Sequence, residues 1–135
     1  MKLFAYRQEN GCIALASIFE EDAHDPREKI DPNGWFVDPS ELPHDSQYWF
    51  NCLTADSDKR VYISLDKARE ATRNRLRAER KPLLEALDIE FQRSLEFSGK
   101  PDQVVIEEKR RLRDITRLVS TCSTVAELKQ LSCSK

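Results

Sequence analysis

The sequence predicts an α+β fold: a small β-rich N-terminal domain of two hairpins over residues 1–64, then an antiparallel helical hairpin with a short capped C-terminal helix over residues 65–135. Three observations carry this. Asn10-Gly11 stands between two runs of strand-type residues, the strongest short hairpin signal. Apolar residues recur at three and four residues from Leu65 to Leu95 and again from Val105 to Cys122, the period of a one-sided helix. Ser98-Gly99-Lys100-Pro101 interrupts that pattern once.

Residues 2–7 and 12–19 form the two arms of the first predicted hairpin. In the second arm Ile13, Leu15 and Phe19 share one parity and Ala14, Ala16 and Ile18 the other, so both faces are expected to be partly covered. From Glu20 to Pro43 the prolines Pro26, Pro32, Pro39 and Pro43 break up the chain, and regular structure is not expected. Trp35 and Phe36 lie inside this polar stretch; such a pair either plugs the domain's own core or docks on a partner, and plugging is favoured in so small a domain. Gln47–Leu53, with Tyr48-Trp49-Phe50, and Arg60–Ser64 read as strands joined by the polar turn Thr54–Asp58.

Ser64 is a suitable N-cap for the first long helix. Its stripe is Leu65, Ala68, Thr72, Leu76, Leu83, Leu87, Phe91 and Leu95, with Glu79 as the interruption, and Pro82 predicts a kink near Lys81 or a restart. Gly99 suits the helix end and Pro101-Asp102 the new start. The second helix carries Val105, Leu112, Ile115, Val119 and Cys122, and a connection this short makes the two helices antiparallel neighbours. Thr124-Val125-Ala126-Glu127 is a capping box opening a last short helix to about Leu131.

Charge narrows the function classes. Residues 1–64 hold six basic and twelve acidic residues, a net −6, whereas residues 65–135 come to +4. An acidic front opposes phosphate binding by the Tyr48-Trp49-Phe50 run, and the arginines of residues 69–81 are interspersed with acids, as on a solvated helical face. Nucleic acid is therefore not an expected partner. No apolar run reaches 18 residues, so no membrane-spanning helix is expected, and the N-terminus lacks the apolar core of a signal peptide; synthesis in the cytoplasm is the expectation.

No phosphate-binding glycine loop, His-Glu-x-x-His or Gly-x-Ser-x-Gly occurs, so no enzyme, cofactor or metal is predicted. His24, between Asp22 and Asp25, has a carboxylate on either side but no accompanying nucleophile. Cys12, Cys52, Cys122 and Cys133 make no Cys-x-x-Cys pair and are expected as ordinary thiols, or as thiols that pair later in an oxidising environment. What remains is contact chemistry. The second helix can cover only part of the first, so Leu65, Ala68, Thr72 and Leu76, with Trp35 and Phe36, are the candidate partner contacts, and a homo-oligomer is expected.

Residues 75–131 carry a resemblance. The order Arg75-Leu76-Arg77, Lys81-Pro82-Leu83-Leu84, Leu87-Asp88-Ile89-Glu90-Phe91, a Gly/Pro break, Lys109-x-x-Leu112-Arg113-Asp114-Ile115-Thr116 and Thr124-x-x-Glu127-Leu128 resembles the C-terminal helical module of small tailed-bacteriophage proteins, tail fibre assembly-like proteins among them. The resemblance implies a tail-associated virion protein that contacts other tail or fibre proteins, or a fibre assembly chaperone absent from the mature particle. It brings no catalytic residues with it, and it does not reach residues 1–64.

Overall fold

The structure, a computed structural model, describes residues 2–19 and 24–133. The chain has the α+β architecture expected from its sequence. It divides into two compact units, Met1–Ala68 and Arg69–Lys135.

In the first unit β1 (Lys2–Arg7) pairs antiparallel with β2 (Ile13–Ile18), Phe4 opposite Ala16. Gly11 takes the positive φ of +83° that the turn needs, but Asn10 does not share it. Its carboxamide instead accepts from the Cys12 N–H at 3.0 Å, and the loop closes through Gln8 N–H to Cys12 O at 2.9 Å. The other side of β1 pairs with β3 (Trp35–Val37), Phe4 opposite Phe36, giving the order β2-β1-β3. A second, two-stranded sheet joins β4 (Leu53–Ala55) to β5 (Val61–Ile63). Ala5, Ile13, Val37, Leu53 and Val61 form the buried core of this unit, with Leu15, Trp35, Leu42, Ala55 and Ile63 packed against it.

Two expectations for this half are corrected. The proline-rich stretch is not structureless, because Pro26 and Pro39 open elements instead of breaking them. Asp25 caps α1 (Pro26–Lys29), accepting from Arg27 N–H at 2.9 Å, and Asp38 caps a 3-10 turn at Pro39–Glu41, accepting from Ser40 N–H at 3.0 Å. Proline in the first turn gives up a donor that has no helical partner anyway, and residues 33–37, free of proline, keep the donors that let β3 form. Tyr48-Trp49-Phe50 is not a strand either: it lies in turns leading to a 3-10 turn at Phe50–Cys52, and β4 starts only at Leu53. Trp49 buries its ring while Tyr48 and Phe50 stay exposed. One buried aromatic in three satisfies a turn as well as it would an alternating strand.

Gly34 is fixed by close approach. A Cβ there would collide with the Phe4 ring and stand 2.9 Å from Ala5 O.

A single helix, α2 (Leu65–Ser98), starts in the first unit and runs through the second. Ser64 Oγ accepts from Lys67 N–H at 3.4 Å as its cap. The helix does not restart at Pro82, which stays in its interior; the Ala78 carbonyl loses its usual donor there. Gly99 ends it at φ +70°. Asp102 then caps α3 (Gln103–Asp114), accepting from Val104 N–H at 2.9 Å, and the chain tightens into a 3-10 helix over Ile115–Thr121. In α4 (Val125–Gln130) Thr124 Oγ1 accepts from Glu127 N–H at 3.3 Å. The Glu127 carboxylate reaches back to Ser123 N–H at 3.0 Å, one residue earlier than a standard capping box.

The arginines of α2 are not a loose solvated face. Arg69 donates to Cys122 O at 2.9 Å, Arg73 to Ser120 Oγ at 3.3 Å, Arg75 to Leu128 O at 3.2 Å and Leu131 O at 2.6 Å, and Arg80 to Arg113 O at 3.1 Å. Asp88 adds an ion pair with Lys109 at 2.6 Å, whose ammonium also lies 4.9 Å from the centre of the Phe91 ring. Arg75 apart, which reaches the C-terminal segment, the partner's number falls from 122 to 109 as residue number rises along α2, the antiparallel register expected of the hairpin. From the other side Arg111 donates to Cys133 O at 2.8 Å.

Thr72, Leu76, Leu112, Ile115, Val119 and Leu128 are all buried in this unit. Its closed end is therefore at Thr72–Leu76, where the C-terminal segment folds back, and its thinly covered end is at the Gly99 turn.

Two outcomes follow from this packing. Leu112→Ala should lower unfolding free energy by about 2–5 kcal/mol, the usual range for a fully buried leucine, measurable by urea denaturation. Gly34→Ala should destabilise the first unit selectively, read as early loss of amide protection in β1 and β3.

The Glu79 carboxylate gives a pH dependence. Desolvation opposes its ionisation, but the Cys133 N–H at 3.3 Å and the Arg75 guanidinium at 2.9 Å outweigh that and hold it below the ordinary glutamate range. A carboxyl depressed in the folded state contributes fully above its unfolded value, about 4.3, and loses that contribution as pH falls through the lower folded value. The Cys133 amide resonance should accordingly move only as pH falls below the ordinary glutamate range, and should stay flat there in Glu79→Gln.

Candidate functional site

The six residues predicted as partner contacts fall into two groups. Ala68, Thr72 and Leu76 are fully buried and Leu65 is half-buried, so this part of the stripe is covered by the chain itself and is not a free docking face. Periodicity places the second helix opposite α2 but does not show that α4 and the strand-like residues after it double back onto the same face. The signal that could have shown it is Arg75 with Glu79. Glu79 interrupts the apolar stripe and Arg75 pairs with it from four residues before; together they serve Leu128 O, Leu131 O and Cys133 N–H. The three most exposed apolar residues of the second unit lie toward the other end of the hairpin: Phe97 is 90% exposed, Val104 69% and Ile89 56%.

Trp35 and Phe36 divide their roles by strand parity. Trp35 packs against the core of the first unit, whereas Phe36, pointing the other way, is 46% exposed and meets Phe4 edge-to-face at 5.5 Å. The Trp35 indole N–H is buried and has no acceptor among the described residues, an arrangement that costs about 1–3 kcal/mol where no acceptor is supplied.

Both residues line a cleft of about 810 Å³ within the first unit. One wall is Trp35, Phe36 and Val37 of β3; the other is Val61 and Tyr62 of β5 with the turn residues Asp56, Asp58, Lys59 and Arg60, and Glu41 also contributes. Consecutive residues of each strand reach the cleft. Side chains alternate between faces along a strand, so a lining by neighbours of both parities means that the cleft follows the strand edges and not a single face. β3 ends the order β2-β1-β3, and β5 has only β4 beside it, so each strand has one unpaired edge among the described strands.

The chemistry of the cleft is aromatic and mixed in charge. Tyr62 is 48% exposed. Lys59 Nζ and the Arg7 guanidinium lie 5.8 and 5.9 Å from the centre of the Trp35 ring, and Lys2 Nζ lies 5.9 Å from that of Phe36. The opposite turn is set by Asp56, whose Oδ1 accepts from Asp58 N–H and Arg60 N–H, both at 2.9 Å, and by Lys59 at φ +62°. Sequence reading found the aromatics but not the cleft, because the second wall depends on β5 lying across from β3, which no local pattern encodes.

His24 is exposed, and Asp22, one of its two flanking carboxylates, lies outside the described residues. His44 is likewise exposed, 3.7 Å from Asp45. Among the described residues no three metal-ligating side chains converge, and no helix is long and apolar enough to cross a membrane.

No family model, no curated protein and no solved structure matches the chain.

Proposed function

We propose that this chain is a non-enzymatic docking protein whose first unit takes an extended segment of a second protein into the cleft between β3 and β5. The observation that carries this reading is the pair of unpaired strand edges on the two walls. An added strand finds main-chain donors and acceptors along an edge, and its alternate side chains find Trp35, Phe36 and Tyr62. The rim carries both acids and bases, which suits a segment of mixed charge better than a polyanion.

The pattern over residues 75–131 supports placing this activity among the proteins of a bacteriophage tail, as a virion adaptor contacting tail or fibre proteins. The exposed Phe97, Val104 and Ile89 support self-association through the turn end of the helical hairpin, in place of the Leu65–Leu76 stretch. In the alternative, a fibre assembly chaperone, the same cleft holds its partner only before particles are complete.

Lys59 is a natural cross-linking handle on the cleft rim. Cross-linking of purified particles followed by peptide mapping should join Lys59 to an extended segment of a tail or fibre protein. Links confined to Lys100 and Lys109 would sink the cleft as the docking site, and absence of the chain from particles would move it to the assembly class. Phe36→Ala with Tyr62→Ala changes two exposed side chains; it should leave the fold intact and weaken partner binding by about tenfold or more, the effect of losing interfacial aromatic anchors, measured by titration calorimetry. Phe97→Asp should shift the sedimentation coefficient toward that of the monomer.

A further inference from the structure

We propose that Cys12 and Cys52 are a redox pair, in which a peroxide oxidises Cys12 and Cys52 resolves the product into a disulfide within the first unit. Cys12 Sγ lies 3.2 Å from Asn51 O, in the peptide that leads directly into Cys52. Lys67 Nζ lies 3.3 Å from the same sulfur, and that ammonium is also only 3.8 Å from where a Cβ on Gly11 would stand. The turn before β2, the 3-10 turn before β4 and the first turn of α2 therefore meet at the Cys12 sulfur, with Cys52 the residue next to Asn51.

The backbone holds both cysteines there. Cys12 N–H donates to Asn10 Oδ1 and Cys12 O accepts from Gln8 N–H, while Cys52 N–H donates to Trp49 O and Cys52 O accepts from Ser64 N–H, both at 2.8 Å. Two thiols on anchored turns can be joined without unravelling a strand.

The two sulfurs differ in environment. Lys67 Nζ donates to the Cys12 sulfur at 3.3 Å, so a cation stands beside that thiol. Burial pushes the Cys52 thiol up from its ordinary value, with the neighbouring Cys12 adding to this and Lys67 opposing it. With the cation beside it, Cys12 is the attacking group and Cys52 the resolving thiol; both are buried, so the oxidant must be as small as hydrogen peroxide. The other two cysteines have different work: Cys122 Sγ donates to Leu118 O and Cys133 Sγ to Leu76 O, each at 3.4 Å, and burial followed by the Glu79 carboxylate pushes the Cys133 thiol up.

The chemistry balances with hydrogen peroxide as oxidant. The Cys12 sulfur bonds to one peroxide oxygen as the O–O bond breaks, and the departing hydroxide takes the thiol proton to leave as water. The Cys52 sulfur then attacks the sulfenic sulfur of Cys12, and hydroxide leaves with the Cys52 proton as a second water. Two thiols lose two electrons to one peroxide.

The test uses the full chain, reduced, treated with hydrogen peroxide at pH 7, quenched by alkylation and digested without reductant. The expected product has lost two hydrogens and contains a Cys12–Cys52 linkage while Cys122 and Cys133 remain alkylatable. Cys52→Ser should leave a dimedone-reactive sulfenic acid on Cys12. Lys67→Gln should slow the oxidation by about fivefold or more, as loss of a neighbouring cation does for a reactive thiol, and Lys67→Arg should retain the rate. A first linkage through Cys122 or Cys133, four thiols still alkylatable after peroxide, or an unchanged rate in Lys67→Gln would each overturn the proposal. The linkage map needs only the unaltered chain, so it stands even if a variant folds poorly.

Discussion

Guanidinium groups on one helix, bonded to backbone carbonyls of the segment that returns along it, are what the second unit depends on. Arg69, Arg75 and Arg80 each reach a carbonyl of residues 112–131, and Arg111 reaches Cys133 O. Those carbonyls include the ends of α3 and α4 and Cys122, which caps the 3-10 helix, where the regular i+4 donor is missing. A charged donor at such a carbonyl satisfies an acceptor and complements the negative end of the helix dipole together. The buried leucines supply most of the stabilisation, but they are non-directional. The arginines fix the direction in which the return segment runs and where it stops.

The first unit answers a different constraint. Two short sheets with few residues per strand cannot hide all their edges, and exposed edges invite pairing with other chains. Here β3 and β5 line a cleft rimmed by Lys59, Arg60, Asp56, Asp58 and Glu41. On the proposed reading, the charges that discourage indiscriminate sheet extension are also those a docking segment would meet.

Much of the fold was legible because it is written in local chemistry. Asn10-Gly11, Gly99, Asp102 and Thr124-x-x-Glu127 each mark an end of an element, and the helical stripes give the two helices and their antiparallel order. Two local signals were misread. Asp-Pro twice opens a short helical turn, and the aromatic run at 48–50 makes turns where β propensity suggested a strand. The candidate site was less legible still. Trp35 and Phe36 were identifiable as an aromatic pair, yet their division into one packed and one open ring follows from β3 pairing with β1, a contact across some thirty residues. Thr72 and Leu76, expected on a free surface, are buried for the same reason, since the segment ending at Cys133 returns to Leu76. Long-range pairing leaves no trace in a window of helix or strand length.

The continuity of α2 sets an order of events during synthesis. The first unit is complete within residues 1–68, so all its strands are available early. The remaining turns of α2 emerge next with their arginines unmatched, because the carbonyls they bind lie 32 to 56 positions further along the chain. For that interval the helix is held at its N-terminal end by a folded sheet and capped by Ser64, while its distal turns have only their own hydrogen bonds. The 34-residue helix therefore spans both units, and its hairpin cannot close until residues near Leu131 are available to Arg75.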